Sequence, residues 1–219
     1  LKPVQWPVRT GRPDGQMRLF ADGGFFTPDR KARLLPIKPR APHNPTCADY
    51  PFVLNTGRIR DQWHTMTRTG LTPRLLAHIS EPFVEMHPRD AAAQGLRDGE
   101  LARLNTRWGE MLARVQTNSG QLARTVFVPM HWTGALSSQG RVGALVNPVT
   151  DPFSGQPENK HTPVAVMPWQ PAWQGFWLHL DAVELPATDY AVAIRGENGW
   201  RHELAGAESA DLQALADTW

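Results

Sequence analysis

The run TGRIRDQWHTMTRTG, Thr56 to Gly70, directly follows the apolar run Phe52-Val53-Leu54. An apolar strand that opens into this polar, glycine-bracketed segment reads as a β-scaffold presenting a binding loop. Two Thr-Gly pairs bracket the segment, and glycine lets backbone come close to a ligand and tolerates positive φ. Between them stand Arg58, Arg60 and Arg68, whose planar five-donor guanidinium groups suit phosphate and carboxylate oxygens. The hydroxyls of Thr65, Thr67 and Thr69 add further donors, and Trp63 and His64 add flat surfaces for a ring system. On chemistry alone the same run also reads as an exposed, salt-bridged turn, since charge runs usually face water.

Working outward, the chain has 219 residues, 41% hydrophobic and 20% charged, ordinary for a globular protein with one large or two modest domains. No run approaches the roughly 18 apolar residues of a membrane span, and no signal-peptide pattern opens the chain. We therefore expect a cytoplasmic protein without a membrane partner. The first residue is Leu1, so the chain reads as a piece of something longer. Cys47 is the only cysteine, which excludes an internal disulfide and a cysteine-ligated iron–sulfur cluster built from this chain alone. Residues 1–45 carry nine Lys/Arg against three Asp/Glu, and residues 170–219 carry two against eight. Flanks of equal and opposite charge point to segments that meet each other or a larger body. No aromatic-interleaved basic motif suggests nucleic acid.

Residues 1–45, rich in proline, read as an extended tail whose pieces at 18–21 and 33–35 resemble strands that pair with a partner body. Between residues 46 and 169 six strands are expected: Phe52–Asn55, Phe83–His87, Glu100–Thr106, Glu110–Thr117, Thr125–Met130 and Thr162–Met167. Arg107-Trp108-Gly109 reads as a hairpin connection, and Pro88 to Gln94 as a short helix closed by Gly95. One short helix among six strands argues for closed β-structure. Residues 170–219 read as a separate α+β unit: strands at Phe176–Val183, Tyr190–Arg195 and Trp200–Leu204, then a helix over 207–219 with Leu212, Leu215, Ala216 and Trp219 on one face. Its tryptophans read as packing residues. In HPRDAAAQGLRDGE, Asp90 fits a helix first turn and Asp98-Gly99 a tight turn. The eight histidines show no close metal-ligand spacing, and no catalytic residue is assigned.

Four blocks in order, LNTGRIRDQWHTMTRTG, EPFVEMHPRDAAAQGLRDGE, TVFVPMHW and LVNPVTDPFSGQPENKHTPVAV, resemble the C-terminal dinucleotide-binding domain of bis-molybdopterin guanine dinucleotide (bis-MGD) oxidoreductases. Within them the likeness is greatest to the catalytic subunits of bacterial assimilatory nitrate reductases. QWPV and RLFADGGFFTPDRKARLLP resemble what precedes that domain, and WQGFWLHL to WRHELAG resembles its C-terminal extension. The resemblance implies a mainly β fold: a six-stranded double-psi β-barrel with short helices, over residues 46–169.

The resemblance also implies a site. Thr56, Gly57, Arg58, Ile59 and Arg60, with Asp61, Gln62, Trp63, His64 and Thr65, match the segment that wraps the dinucleotide. Asn147 and Lys160 match positions that complete the contacts, while Arg68 and Gln156 lie at motif positions beside them. His131 and Trp132 match a segment that approaches the metal in related enzymes, which makes them substrate-proximal. Molybdenum would be carried on bis-MGD, any iron–sulfur cluster and the metal-ligating residue would lie outside this chain, and the partner would be the remainder of the catalytic subunit. Chemistry agrees in kind: charge-assisted donors suit the pyrophosphate, and Asp61, Gln62 and Asn147 suit ring edges. Three readings stay open: a nitrate reductase portion, the same domain in a formate dehydrogenase-like enzyme, and a stand-alone β-barrel module for another anionic partner.

Overall fold

Six short strands close on one another in the order β1-β5-β2-β4-β3-β6. They are β1 (Phe52–Gly57), β2 (Phe83–Met86), β3 (Leu101–Asn105), β4 (Glu110–Thr117), β5 (Thr125–Pro129) and β6 (Thr162–Pro168). The computed structural model describes residues 2–36, 38–152 and 154–209. The chain divides into two compact units, Leu1–Arg40 and Ala41–Trp219. Closure follows from the side-chain pattern. Phe52, Leu54 and Thr56 are buried in alternation along β1, and with Val84, Met86, Leu104, Met111, Val115, Val126, Val164 and Val166 they surround one apolar interior. A sheet rolled onto itself leaves no unpaired edge. All six barrel strands expected from the sequence are present.

Two pairings in the barrel are parallel, β1 with β5 and β2 with β4. The first of these positions the site. Thr56 lies opposite Val128 and Gly57 opposite Pro129, so both strands leave the barrel side by side at one end. β6 runs antiparallel to β1, with Leu54 opposite Thr162, so the segment entering β6 arrives at that same end. At the β3–β4 hairpin, Thr106 Oγ1 accepts the N–H groups of Trp108 (3.1 Å) and Gly109 (3.2 Å) and donates to the Leu145 carbonyl (3.1 Å).

Two helices flank the barrel, α1 (Pro73–Leu76) and α2 (Pro88–Ala93). α2 is the helix expected from Pro88, with Asp90 in its first turn. The Asp90 carboxylate also accepts the Arg124 N–H at 2.6 Å. α1 was not expected. Its only signal is Thr72-Pro73, a short N-terminal pair followed by a single turn.

The C-terminal residues form a three-stranded sheet ordered β7-β9-β8, from β7 (Trp173–His179), β8 (Tyr190–Gly196) and β9 (Gly199–Gly206). β7 starts and stops earlier than the expected Phe176–Val183. Its register with β9 runs from Trp173 opposite Gly206 to His179 opposite Trp200, one residue short of where β9 begins at Gly199. The free edge of β8 is covered by the stretch after β5: Ser138 N–H donates to Ala191 and Ala193 N–H to the Leu136 carbonyl, both at 2.9 Å. The sheet therefore packs against the barrel. Tyr190, Val192, Ala193 and Ala205 share an apolar cluster with Leu101, Leu112, Trp132, Leu136 and Trp169. Most of the expected closing helix, including Leu212, Leu215, Ala216 and Trp219, lies outside the described residues.

In the first unit, the pieces at 18–21 and 33–35 are not strands. Among the described residues of this unit the bridge is Arg9 with Arg12, a local turn. Phe20 instead stacks on Phe25 at 4.8 Å.

Candidate functional site

Three segments converge where β1 and β5 leave the barrel and β6 enters it: residues 58–68 after β1, Met130 to Trp132 after β5, and Asn147 to His161 before β6. Residues 58–68 form neither helix nor strand, and a 3-10 turn at Thr69–Leu71 closes the segment. Its inner side is apolar. Met66 and Gly70 are buried, and Met66 joins Leu76 of α1, Trp132 and Ala193 of β8 in one cluster. Arg58, Arg60, Trp63, His64, Thr65 and Arg68 face outward.

The bracketing glycines do a different job from the one expected. Positive φ falls on His64 (42°) and Met66 (62°), not on Gly57 or Gly70. The glycines make room: a Cβ at Gly70 would sit 2.9 Å from a Leu136 methyl, and one at Gly57 would sit 3.1 Å from the Phe127 ring. The Gly57 Cβ would also stand 3.7 Å from Lys160 Nζ.

His131 holds this loop from within. Its ring is fully buried; Nε2 accepts the Ile59 N–H at 2.9 Å, and Nδ1 lies 2.6 Å from the His64 carbonyl. A backbone N–H only donates and a carbonyl only accepts, so Nε2 is bare and Nδ1 carries the hydrogen. Burial holds its pKa below the ordinary histidine value, with Arg58 and His64 adding in the same direction against the His64 carbonyl bond. The parallel register explains the reach. His131 lies two residues beyond Pro129 and Ile59 two beyond Gly57, and Met130 N–H donates to Gly57 at 2.9 Å. His131 and Trp132 thus lie in the interior, and neither ring faces solvent.

Asn147 is buried too. Its Nδ2 donates to the carbonyls of Glu158 (3.1 Å) and His161 (2.9 Å) and lies 3.1 Å from Thr162 Oγ1, while Oδ1 accepts the Val149 N–H (3.1 Å). It shapes the connection that carries exposed Gln156 and Lys160. Lys160 Nζ donates to the Thr56 carbonyl, joining the β6 approach to the β1 exit.

Of the outward groups, the Arg58 guanidinium lies over the Trp63 ring, 5.2 Å from its centroid. Arg60 grips the Asp61 carboxylate with two bonds, 2.8 and 2.9 Å, and His78 Nδ1 lies 2.7 Å from the same carboxylate. Arg60 first, and His78 after it, hold that carboxyl below its usual pKa range. Gln62 is buried and donates through Nε2 to the Leu75 carbonyl at 3.3 Å.

A test of fit comes from unpaired atoms. Among the described residues, eight buried side-chain nitrogens or oxygens have no hydrogen-bond partner, and six lie on β1's end or the segments it meets. They are Asn55 Oδ1, Thr56 Oγ1, Gln62 Oε1, Trp132 Nε1, Glu158 Oε2 and His161 Nε2. Each such atom costs about 1–3 kcal/mol when left unmade, and a cluster of them calls for an explanation. A ligand rich in both donors and acceptors, carrying negative charge toward Arg58, Arg68 and Lys160, fits this end of the barrel. Sequence reasoning missed Asn55, His78, Glu158 and His161. Glu158 and His161 flank Lys160 in the fourth quoted block, whereas nothing in the sequence marks His78.

A closed β-barrel with a cationic loop and unsatisfied polar groups at one end has the chemistry to suit a large anionic, ring-bearing ligand. The chain belongs to the molydopterin dinucleotide binding domain family, whose profile matches residues 52–163. It is 48% identical over 86% of its length to a nitrate reductase of Klebsiella oxytoca, covering 21% of that protein. It is 32% identical over 75% of its length to the assimilatory nitrate reductase catalytic subunit of Bacillus subtilis, covering 23%. It is 31% identical over 72% of its length to the F420-dependent formate dehydrogenase subunit alpha of Methanocaldococcus jannaschii, covering 22%. The chain thus spans about a fifth to a quarter of the curated relatives it matches. No helix among the described residues is long and apolar enough to cross a membrane.

Proposed function

We propose that this chain is the molybdopterin guanine dinucleotide-binding portion of a cytoplasmic nitrate reductase that reduces nitrate to nitrite. The observation that carries the reading is the concentration of unpaired buried polar atoms beside exposed Arg58, Arg68 and Lys160 at one end of the barrel. Similarity to proteins named nitrate reductase supports the choice of reaction. When bound, the cofactor supplies the two-electron oxygen-transfer chemistry.

This chain's residues bind and orient. Arg58, Arg68 and Lys160 offer charge-assisted donors to phosphate oxygens, each such bond contributing about 1.5–3 kcal/mol. Thr56 and Gly57 bring hydroxyl and backbone close to the same groups, and Thr65 and Gln156 extend the polar rim. Asp61 and Gln62 read ring edges, and Trp63 offers a flat face. Asn147 and His131, buried and bonded to backbone, shape the loops around the site. Residues 1–45 serve as the tail from the catalytic region, 46–169 as the dinucleotide domain and 170–219 as its extension. The rest of the catalytic subunit contributes the iron–sulfur cluster.

The test uses the full-length protein. Arg58→Ala and Lys160→Ala should each lower molybdenum and guanine nucleotide content with the fold intact, and steady-state turnover should be seen with nitrate. Full cofactor loading in both variants would remove the contact assignment. The formate dehydrogenase relative favours a second reading, the same domain in a formate-oxidising enzyme. Turnover with formate alone would select it.

A further inference from the structure

The barrel closes on itself, but the C-terminal sheet is open on one side. Its β8 edge is covered by the backbone of Leu136 and Ser138, whereas β7 has no strand on its outer side among the described residues. An open edge presents a row of N–H and C=O groups and is ordinarily blunted by lysine, proline or a bulge. β7 reads WQGFWLH, with neither residue, and its register with β9 is unbroken. Phe176 is 61% exposed, Leu178 63%, and Leu180 just beyond the strand 80%. The same face is buried at β8, where Tyr190 and Val192 pack on the barrel. On the opposite face Gly175 leaves open space, since a Cβ there would meet nothing within 4 Å.

The charges at the two ends of this edge are of one sign. At its start Glu100 lines a groove of about 510 Å³ with Trp169, Trp173 and Gln174, and the Glu208 carbonyl accepts the Trp173 indole N–H at 3.0 Å. At its far end His179 Nδ1 donates to the Asp181 carbonyl, beside a second cleft of about 370 Å³ walled by Leu178, Leu180 and Trp200. Glu100, Asp181 and Glu208 are all exposed, and no ion pair among the described residues holds them. Arg201, opposite Leu178, is already engaged: it pairs with Glu203 and lies over the Phe176 ring at 4.9 Å. Two copies joined edge to edge about a two-fold would set the Glu100 end of one against the Asp181 end of the other, like charge on like charge.

We propose that β7 seats an extended strand, apolar where it crosses Phe176 and Leu178 and basic at its ends, supplied by the same polypeptide outside these 219 residues. Length and charge both favour that occupant. The chain spans only 21% to 25% of the relatives it matches, and a basic segment meets the exposed acids where a second copy would be repelled. Backbone pairing along β7 supplies the affinity, the two clefts take side chains at its ends, and the acids select lysine or arginine there. This seat belongs to the C-terminal sheet and is independent of which substrate the enzyme turns over.

The experiment uses the full-length protein, mixed from light and heavy isotope preparations, with a benzoylphenylalanine photo-cross-linker placed at Leu178. Peptide mapping after illumination should find the linker joined to a segment of its own polypeptide outside the 219 residues, with apolar residues flanked by Lys or Arg. Hydrogen exchange supplies a second reading. Phe176→Lys, which puts a like charge against the basic strand, should speed exchange across Trp173–His179 by about tenfold, and Phe176→Leu should stay within about threefold of wild type. Capture of a second copy, of residues within the 219, of a segment without flanking Lys or Arg, or of nothing would overturn the proposal. So would wild-type exchange across β7 as fast as that of Phe176→Lys.

Discussion

His131 and His64 meet across the base of the loop: the buried ring of His131 donates from Nδ1 to the His64 carbonyl at 2.6 Å, while Nε2 receives the Ile59 N–H at 2.9 Å. One neutral imidazole thereby ties together both ends of a six-residue turn, including the residue at φ 42°. Replacing it with Phe leaves one backbone donor and one acceptor unpaired in the interior. His131→Phe should cost about 2–4 kcal/mol and speed amide exchange at Ile59 more than in β1. His131→Gln, which can still accept at the far end of its amide, should recover part of both. Unchanged exchange at Ile59 in the Phe variant would show that the ring does not pin the turn.

The His202 imidazole is fully buried in β9, bonded through Nδ1 to His179 Nε2 at 2.7 Å. Burial first, and the nearby His179 second, lower its pKa to about 4. The folded value therefore lies below the ordinary value of about 6.5, and the unfolded chain takes up the extra proton. The stability it contributes is complete above about pH 6.5 and declines as the pH falls toward 4, at up to about 1.4 kcal/mol per pH unit. His131, shifted in the same direction, adds to the decline. Urea titrations at pH 7 and pH 5 should show a loss of stability that shrinks in His202→Gln. An equal loss in both proteins would assign the acid sensitivity elsewhere.

Asn147 closes the connection before β6 with side-chain bonds to Val149, Glu158 and His161. Asp in its place keeps the acceptor and loses the donors, and brings buried charge among carbonyl oxygens. Asn147→Asp should cost about 3 kcal/mol, while Asn147→Ala, which leaves the same groups unpaired without the charge, should cost somewhat less. Chemical unfolding of the two variants checks the order. Limited proteolysis should find the 149–160 segment newly cut in both.

Glu81 accepts from Arg114 of β4 at 2.6 Å and from the Tyr190 hydroxyl of β8 at 2.7 Å, joining the barrel to the C-terminal sheet. Burial and the Glu81 charge push the Tyr190 pKa well above its ordinary value, so the hydroxyl stays a donor across the working pH range. Glu81→Ala strands a partly buried guanidinium and a buried phenol and should destabilise the protein by about 3 kcal/mol. Because β8 also backs Met66 and Leu76, the same variant should loosen the loop at 58–68. Hydrogen exchange measured in both regions tests that coupling, and loss of protection confined to the sheet would break it.

The strands were legible because burial inside a closed barrel imposes an alternation that survives in one dimension: Phe52, Leu54 and Thr56, or Leu101 and Arg103 against Ala102 and Leu104, carry it on their face. The Thr56–Gly70 run stood out for the same kind of reason, since cations, hydroxyls and flanking glycines are local composition. α1 left little trace, because a single turn is too short to repeat a period. The end of β7 left none, because it is set by where β9 starts.

What the sequence by itself determined is therefore a barrel-forming pattern of apolar positions and a loop chemically equipped for an anionic, ring-bearing ligand. Only the tertiary structure decided which of those groups are free to act. His131 and Asn147 look like polar contacts in the string of letters, yet the parallel register of β1 with β5 and the approach of β6 to β1 turn both inward to bond backbone. Conversely His78, unremarkable in sequence, meets Asp61 because the chain folds α1 back under the loop. Hydrogen-bond partners 17 or 72 residues apart are fixed by packing, and no local pattern encodes a distance of that kind.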